Sequence, residues 1–584
     1  MKKTKIVATI GPTSETEEVL RELFENGVNV CRLNFSHGNH EEQQERIDTI
    51  KKVREELGLP IGIMLDTKGP EIRLGDFQDG EIEINQGDHF TLTTREIMGN
   101  KSIVSVTYKG LTEDVKVGNK ILIDDGLVEF EIVDIKDTEI ECVAINNGRL
   151  SNHKGVNVPH VEINLPALTQ KDIGDIKFGI KNNVDFIAAS FIRRVEDVMN
   201  IRKVLEENGG ENINIISKIE NQQGVDNIEE ILNASDGMMV ARGDLGVEIQ
   251  TELMPLVQKD LIKKSNNRGK PVITATQMLD SMMRNPRPTR AEVTDVANAI
   301  FDGTSAIMLS GETAAGKYPI DSVKTMYKIA IKTEEALDYK KLLKLRVDET
   351  RLTTTNAISR ATCYTAKDLK AKAIVTATSS GHTSTSISKF KPKTPIIAAT
   401  NSNRVMRRLS LAWGVYPVLS PESATTDEVV SHSVEAAIKD GYIGEGDLIV
   451  VTAGVPVGIS GTTNLIKVHT VGKILARGMG IGDKSVVGKV SVYKNAEEFK
   501  KKFEKGDVVV ANSTDKDMME YIKESSAIIT EHAGLTSHGA IVGLNLGIPT
   551  VVGARNATEI LEDGSIVTVD SATGQIYEGE ARVL

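Results

Sequence analysis

Two carboxylates and a lysine stand beside short apolar runs in the middle of the chain. Glu220 directly follows "INIISKI", and Asp244 lies three residues after the run "GMMVA". Carboxylate oxygens at adjacent strand ends suit Mg²⁺ or Mn²⁺, which prefer oxygen ligands and keep positions open for substrate oxygens. Lys218 lies two residues before Glu220, so on an extended strand it points to the same side. Its ammonium can stabilise negative charge on a transferring phosphoryl group.

The stretch "ARGDLG" places an arginine and a glycine directly before Asp244. Gly243 lets the backbone approach a ligand, and the peptide N–H groups that follow can bind a carboxylate or a phosphate. Arg242 supports this loop or its charges, and an internal salt bridge is the simpler interpretation of that residue alone. The stretch predicts a metal ligand and an anion-binding backbone within one turn.

A second polar group follows two apolar runs near the N-terminus. Asn34 and Ser36 come after one run, and Asp66 and Thr67 come after the next. Together they offer oxygens with one formal negative charge, which suits a monovalent cation better than a second divalent one. The remaining polar residues at strand ends are Arg32, Lys68, Thr276, Ser310 and Glu312.

A repeated strand–helix pattern must position these residues. Helical patterns follow eight β-rich runs, which are "KIVATI", "VNVCRLNF", "IGIMLD", "VDFIAASF", "INIISKI", "GMMVA", "PVITAT" and "SAIMLS". Eight units predict a closed (β/α)₈ TIM barrel, in which the C-terminal strand ends face one mouth. A doubly wound open sheet is the alternative, but a full ring of polar residues beside buried runs favours the barrel. In the first helical stretch, Ser14 is the expected N-cap and Gly27 the expected end.

Three further modules accompany the barrel, which we assign to residues 1–70 and 169–345. Alternating stretches such as "EIEINQGDHFTLTT" and "EIECVAIN" predict a small antiparallel β domain inserted at 71–168. An open α/β domain is expected at 346–473, because strands and helices alternate again there. A β-rich, glycine-rich C-terminal module is expected at 474–584.

Composition narrows the class of protein. The chain has 584 residues, a net charge of −12 and 40% hydrophobic residues, so it is long enough for several domains with real cores. The negative charge disfavours a general binder of nucleic acid or anionic membrane. Three widely spaced cysteines suggest neither a disulfide framework nor a zinc site. Without a secretory signal or a long apolar run, we expect a cytoplasmic protein that does not span a membrane.

The residues from 1 to about 470 resemble the pyruvate kinase family. The motifs that carry the resemblance occur in family order and are specific together: "TKIVATIGPTS", "RLNFSHG", "LDTKGPEIR", "KGVN", "SKIEN", "MVARGDLGVEI", "ATQMLDSM", "PTRAEVTDVANAI" and "MLSGETAAGKYP". The resemblance implies transfer of the phosphoryl group of phosphoenolpyruvate to ADP, which gives pyruvate and ATP in the final step of glycolysis. It also implies a cytoplasmic homotetramer whose inserted domain is a β-barrel lid that closes over the mouth of the catalytic barrel.

The same resemblance implies roles for individual residues. The Mg²⁺ (or Mn²⁺) ligands would be Glu220 and Asp244, and the K⁺ ligands would be Asn34, Ser36, Asp66 and Thr67. The substrate would be held by Arg32, Gly243, Asp244 and Thr276. Lys218 would stabilise the transition state, with Thr276 and Arg32 also catalytic. The nucleotide-side residues would be Asn34, His37, Arg73 and Lys154.

Two other functions stay open on the residues alone. A metal-dependent lyase or aldolase acting on phosphoenolpyruvate or pyruvate would share the metal pair, but it would not need "DTKGPEIR" or a lid. A non-catalytic sensor would not need the intact ring of charged residues. Formation of pyruvate with and without ADP separates the three.

Regulation and ion dependence follow from three more motifs. Glu71 in "TKGPE" is the family's acidic residue that accompanies a K⁺ requirement. The Ser/Thr/Gly turn in "TATSSGHTSTSISKF" can present hydroxyls and N–H groups to a phosphate, although a plain helix cap is the alternative. It matches the family's effector loop, with "GTTN" at 461–464 in the same domain, and the resemblance implies a phosphorylated sugar or nucleotide as the effector. Its residues are Thr378, Ser379, Ser380, Gly381 and Thr383.

The C-terminal stretch "TEHAGLTSHGAIVGLNLGIPTVVG" resembles the phosphohistidine domain of phosphoenolpyruvate-utilising enzymes. His538 occupies the phosphohistidine position, where Thr536, Ser537 and a helix N-terminus could stabilise a phosphoryl group. Direct transfer to ADP needs no carrier, and the chain has no room for the nucleotide domain that normally accompanies such a histidine. We therefore expect a structural or assembly role for this module.

Overall fold

The computed structural model describes residues 1–348, 353–455 and 461–581, and these form two compact units. The first unit contains the barrel, the inserted module and two short segments from later in the chain, Ser388–Lys391 and Ser402–Pro417. The second unit contains the remaining described residues from 353 onward. Within the described ranges, no helix is long and apolar enough to span a membrane.

The chain begins with three fully or largely buried strands of the barrel. They are β1 (Lys5–Thr9), β2 (Val30–Asn34) and β3 (Gly62–Asp66), with helices α1 (Glu17–Glu25) and α2 (His40–Leu57) between them. Helix α1 begins later than the sequence predicts, because Thr16 accepts the N–H of Val19 as the N-cap. The prediction for Ser14 is wrong, since its hydroxyl accepts the N–H of Gly11 in the preceding turn. Gly27, with φ +103°, ends the helical segment as expected.

The inserted module is almost entirely β structure. Its elements are β4 (Glu81–Ile84), β5 (His89–Thr93), β6 (Ile103–Ser105), α3 (Leu111–Asp114), β7 (Lys120–Ile123), β8 (Val128–Lys136), β9 (Glu139–Ala144), β10 (Gly148–Ser151) and β11 (Val156–Asn157). One sheet has the order β11-β7-β8-β9-β5-β6, and β10 pairs with β4. Every pairing is antiparallel except that of β5 with β6. Alternate residues of these strands are buried and form a core of their own.

The barrel resumes after the insertion. Its strands are β12 (Phe186–Ala189), β13 (Asn214–Ile219), β14 (Gly237–Ala241), β15 (Val272–Ala275) and β16 (Ala306–Leu309). The helices are α4 (Gln170–Lys181), α5 (Val195–Glu207), α6 (Gln222–Asp226), α7 (Ile228–Ala234), α8 (Arg242–Glu248), α9 (Met254–Arg268), α10 (Arg290–Asp302), α11 (Gly311–Ala314), α12 (Pro319–Glu335) and α13 (Tyr339–Asp348), with 3₁₀ turns at Thr251–Leu253 and Asp280–Met283.

The eight parallel strands close in the order β1-β16-β15-β14-β13-β12-β3-β2, which confirms the predicted (β/α)₈ barrel. The strands read as continuous apolar runs because both of their faces are buried. One set of side chains fills the interior, including Val7, Met64 and Phe186. The other set packs against the surrounding helices. The C-terminal ends of all eight strands therefore meet at one mouth.

The α/β part of the chain has a five-stranded sheet of order β19-β18-β17-β20-β21. These strands are β17 (Ala373–Ala377), β18 (Ile396–Thr400), β19 (Val415–Leu419), β20 (Leu448–Gly454) and β21 (Thr463–Thr470). The helices are α14 (Thr354–Asp368), α15 (His382–Ser388), α16 (Asn403–Leu409) and α17 (Thr426–Lys439). The edge strand β21 runs antiparallel to β20, and the sequence did not predict it.

The C-terminal module is a sheet of order β22-β29-β28-β24-β25-β26-β27-β23. Its strands are β22 (Ile474–Arg477), β23 (Met479–Ile481), β24 (Ser485–Val492), β25 (Val508–Ala511), β26 (Ala527–Thr530), β27 (Thr550–Val552), β28 (Ile566–Asp570) and β29 (Gln575–Glu578). The helices are α18 (Ala496–Lys502), α19 (Met519–Glu524), α20 (His538–Leu546) and α21 (Ala557–Ile560), with a 3₁₀ turn at Lys516–Met518. The module has its own apolar core, as the sequence predicts.

Candidate functional site

Lys218 and two carboxylates form the buried centre of the barrel mouth. The Lys218 ammonium lies 2.9 Å from Glu220 Oε1 and 3.2 Å from Asp66 Oδ1. Glu220 is held from its other side by the N–H of Phe191, which donates to Oε2 at 2.5 Å. Asp244, on helix α8, lines the same cavity as Glu220, and its charge acts on that carboxyl group. The predicted pair of metal ligands is therefore adjacent, and Lys218 lies directly beside it.

Burial and charge set the protonation of this centre in opposite directions. Burial raises the pKa of Glu220 to about 7; Lys218 opposes the rise and Asp244 adds to it. Burial likewise raises the pKa of Asp244, and the lid carboxylates Asp125 and Glu71 contribute. Burial alone would lower the pKa of Lys218, but Asp66 and Glu220 raise it above its ordinary value. These shifts favour the charged form of Lys218 and make the Glu220–Asp244 pair more ready to take up a proton, with which a bound cation would compete.

Arg32 anchors the other side of the centre. Its Nε donates to Asp66 Oδ2 at 2.5 Å, and its Nη1 donates to Thr9 Oγ1 at 3.0 Å. Burial would raise the pKa of Asp66, but Arg32 and Lys218 hold it below its usual range. Asp66 is therefore favoured as an anion, and two cationic side chains contact it, Arg32 from the adjacent strand β2 and Lys218 from β13, one strand further along the barrel.

The predicted monovalent-cation residues come together at the ends of β2 and β3. Asn34 and Asp66 stand opposite each other in the register of these strands. The side-chain carbonyl of Asn34 accepts the N–H of Ser36 at 3.0 Å. Thr67 is buried, and its hydroxyl accepts the N–H of Ser190 at 3.2 Å. These contacts place carboxylate, amide, hydroxyl and backbone oxygens within one small region.

Gly243 and Thr276 meet at the ends of β14 and β15. The N–H of Gly243 donates to Thr276 Oγ1 at 2.8 Å. Thr276 and Gln277 both have positive φ, +69° and +51°, which is uncommon for β-branched or long side chains and often occurs at functional sites. Arg242 points away from the mouth, pairing with Asp295 at 2.7 Å and donating to the carbonyl of Thr276 at 2.7 Å. The ion pair with Asp295 is the internal salt bridge of the simpler interpretation, and the bond to the Thr276 carbonyl also supports the loop.

A cavity of about 750 Å³ joins the barrel mouth to the inserted module. Glu220 and Asp244 line it from the barrel, and Arg73 and Lys154 line it from the lid. Arg73 Nε pairs with Glu71 at 2.6 Å. Lys154 pairs with Asp124 at 2.8 Å. The two predicted nucleotide-side cations therefore face the same space as the predicted metal ligands, each with a lid carboxylate beside it.

Some residues in the predicted ring lie outside this arrangement. Neither Asn34 nor His37 lines the cavity, and the His37 side chain is exposed after β2. Glu312 is buried and accepts the N–H groups of Leu279 and Ser310. Through those two bonds Glu312 connects the loops that follow β15 and β16, which is a structural role. Its position at a strand end was therefore not enough to predict what it does.

Two residues of the centre were missed in reading the sequence. Ser190 follows β12 and receives a hydrogen bond from Lys218, and Phe191 supplies the N–H that holds Glu220. The sequence did contain an indication of Ser190, because "FIAAS" ends the fourth apolar run with a serine. In the other apolar runs of the barrel, residues at this strand-end position were predicted to be functional. The positive φ of Phe191, +54°, has no such signal.

The predicted effector turn lines a separate cavity of about 220 Å³ in the second unit. The residues that share it include Thr378, Ser379, Ser380, Thr383 and Thr462. Gly381 has φ +91° and donates its N–H to Thr378 Oγ1 at 2.9 Å. Thr383 meets Thr463 at 3.0 Å between hydroxyl oxygens. The turn therefore combines hydroxyls from two segments around one pocket.

His538 is the first residue of α20. Its Nδ1 lies 2.7 Å from Thr514 Oγ1. Ser537 is the N-cap of the helix and accepts the N–H of Ala540. The hydroxyl that contacts the imidazole thus belongs to Thr514. The sequence had suggested Thr536 and Ser537, which directly precede His538 on a different loop.

Comparison with known proteins gives consistent matches along the chain. The family described as "Pyruvate kinase, barrel domain" matches residues 1–323, "Pyruvate kinase, alpha/beta domain" matches 356–469, and "PEP-utilising enzyme, mobile domain" matches 503–574. Pyruvate kinases of Sporosarcina psychrophila and Geobacillus stearothermophilus are 55% and 54% identical, each over 100% of both chains. A crystal structure of a pyruvate kinase from Cryptosporidium parvum is 39% identical with a TM-score of 0.77, covering 80% of this chain and 96% of that one.

Proposed function

The chain belongs to the pyruvate kinase family, and we propose that Glu220 and Asp244 would hold the divalent cation that the reaction of phosphoenolpyruvate with ADP requires. The enzyme transfers the phosphoryl group of phosphoenolpyruvate to ADP, giving pyruvate and ATP in the final step of glycolysis. The observation that carries the assignment of the site is the pair of carboxylates at the mouth, buried Glu220 and half-buried Asp244, which line one cavity beside Lys218.

The donor set fits Mg²⁺ or Mn²⁺. No group of three or more histidine, cysteine, aspartate or glutamate side chains with metal-binding geometry occurs in the described part of the chain. Mg²⁺ does not need one, because it commonly binds one or two carboxylates and takes its other ligands from water and phosphate oxygens. The raised pKa of Glu220 and of Asp244 indicates that two packed carboxylates need a positive partner.

The chain's own residues then do three things. Arg32 and Lys218 present positive charge to the anionic substrate, and Gly243 and Thr276 fix the turn on which Asp244 lies. The neighbouring carboxylates raise the pKa of Lys218, which favours its charged form and an electrostatic role over proton transfer. The bound cation supplies further positive charge for the phosphoryl oxygens.

We assign the monovalent-cation site to Asn34, Ser36, Asp66 and Thr67, and the nucleotide side to Asn34, His37, Arg73 and Lys154. The contacts between β2 and β3 support the first set. The cavity shared with Glu220 and Asp244 supports Arg73 and Lys154 in the second. His37 rests on the family resemblance alone.

The effector turn is proposed to bind a phosphorylated sugar or nucleotide, because its hydroxyls surround one pocket. We also propose a cytoplasmic homotetramer and retain the four domain segments predicted from the sequence, although the segments Ser388–Lys391 and Ser402–Pro417 belong to the compact unit of the barrel. Mass photometry tests the first, and limited proteolysis tests the second.

Direct measurement of Mn²⁺ binding tests the metal assignment. Electron paramagnetic resonance titrations of Glu220→Gln and Asp244→Asn should show affinity at least about tenfold below that of the wild type, because each loses an anionic ligand. Glu248→Gln is the matched control, since Glu248 is a carboxylate of the same helix and cavity. Equal affinity in all four proteins would contradict the assignment.

A further inference from the structure

Ser190 contacts both halves of the barrel-mouth site. Its hydroxyl lies 2.7 Å from Lys218 Nζ, 2.6 Å from the carbonyl oxygen of Thr67 and 3.2 Å from Asp66 Oδ1. The residue is 5% exposed, so water does not readily replace these partners. Lys218 belongs to the divalent-metal side of the mouth, and Thr67 and Asp66 belong to the monovalent-cation side.

The direction of these bonds is fixed by chemistry. An ammonium only donates and a carbonyl only accepts, while a serine hydroxyl has one proton and two lone pairs. Lys218 must therefore donate to Ser190, and the hydroxyl proton goes to the Thr67 carbonyl, which is nearer than the Asp66 carboxylate. The carbonyl oxygen keeps a second lone pair, which remains able to bind a cation.

The backbone around Ser190 leaves little freedom. The N–H of Ser190 donates to Thr67 Oγ1 at 3.2 Å, so the two residues are joined twice. Gly69 has φ +73°, and a side chain there would come within 2.8 Å of Ser190 Cβ. The loop after β3 is thus packed directly on Ser190, and a movement of the loop must move the partner of Lys218.

We propose that Ser190 is a positioning residue that couples the monovalent-cation site to Lys218. The inference rests on the proposed roles of Thr67 and Lys218. A cation that orders the Thr67 loop fixes the Ser190 hydroxyl, and the hydroxyl in turn fixes one of the three acceptors of the Lys218 ammonium. Ser190 itself touches neither the phosphoryl group nor the nucleotide.

Ser190→Ala in the full chain tests this coupling. The concentration of K⁺ that gives half-maximal activity should rise about tenfold, and kcat should fall about tenfold, because Thr67 and Lys218 each lose a buried partner. The KM for ADP should stay within about twofold. A second measurement does not depend on turnover. The Tm should rise when K⁺ replaces tetramethylammonium, and the K⁺ concentration that gives half of this rise should be about tenfold higher in the variant.

Ser217→Ala is the matched control. Ser217 is a fully buried serine in β13, next to Lys218 in sequence, and its hydroxyl pairs with Ser235 at 2.6 Å. It should lose some thermal stability but keep the K⁺ dependence and kcat of the wild type. If Ser190→Ala does not fold, Ser190→Cys is measured instead, since a thiol is only a weak donor and acceptor.

The outcomes separate the inference from the function on which it rests. A wild-type enzyme that is fully active without K⁺ would refute the cation site. The coupling alone would be refuted if the wild type needs K⁺ but the K⁺ midpoint of Ser190→Ala is unchanged. A shift in that midpoint no larger than the shift in Ser217→Ala would refute it equally.

Discussion

Replacing Lys218 by methionine removes the charge on which the proposed mechanism depends. The ammonium is nine-tenths buried and faces two carboxylates, so its field acts in a poorly screened region. Asp66 keeps its bond to Arg32, and Glu220 keeps the N–H of Phe191, so the variant should retain its fold. Loss of one such preorganised group raises the barrier by about 3 kcal/mol or more, which lowers kcat at least about a hundredfold.

The assay is steady-state formation of pyruvate at saturating Mg²⁺, K⁺ and ADP. Because the charge acts in the transition state, kcat and kcat/KM should fall together, while Mn²⁺ binding survives. Lys5→Met is the matched control. Lys5 is a buried lysine at the opposite end of the barrel and donates to the carbonyl of Val415, so its loss should lower stability but not kcat. Near-normal kcat in Lys218→Met would refute the reasoning.

Four further outcomes are expected. Glu71→Lys should relax the K⁺ requirement, because the lysine ammonium supplies the positive charge that K⁺ otherwise provides. A wild type that is equally active with K⁺ and in K⁺-free sodium or Tris buffer would contradict the requirement itself. Burial raises the pKa of Glu220 to about 7, so Mn²⁺ should bind with full affinity above that pH. Below it, protons compete for the carboxylate and the Mn²⁺ affinity should fall about tenfold per pH unit. An affinity that stays constant from pH 8 to 5.5 would exclude that competition. Triple alanine substitution of Ser379, Ser380 and Thr383 should abolish the response to any activator, and an unchanged response would show that the effector pocket is misplaced. Deletion of the C-terminal module should leave kcat largely intact but lower Tm or alter regulation, whereas stoichiometric acid-labile phosphate on the histidine of its "TSH" motif would indicate a carrier role.

The barrel was predictable because its strands are buried on both faces and therefore appear as continuous apolar runs. The edge strand β21 was not, since "TNLIKVHT" is half exposed and gains its structure by pairing with β20. The segment Ser402–Pro417 was assigned to the α/β domain, yet it belongs to the compact unit of the barrel. There Arg407 pairs with Asp185 at 2.8 Å and Leu411 joins the barrel core. Contacts between residues so far apart in sequence leave no local pattern.

The candidate site was predictable where chemistry and strand position coincide, as at Glu220, Asp244 and Lys218. It was not predictable where geometry decides the role. Glu312 has the right type and position but is a brace between loops. Ser190 stands at a strand end, as the sequence indicates, but its role becomes clear only from its three side-chain contacts.

The central claim is that this chain moves a phosphoryl group from phosphoenolpyruvate to ADP at the Glu220–Asp244 pair. The most direct test is a coupled assay for pyruvate with phosphoenolpyruvate, Mg²⁺ and K⁺, in the presence and absence of ADP, on the wild type and Asp244→Asn. We predict that the wild type forms pyruvate only with ADP, with one ATP per pyruvate, and that Asp244→Asn is nearly inactive. Pyruvate formation without ADP, or full activity in Asp244→Asn, would contradict the account.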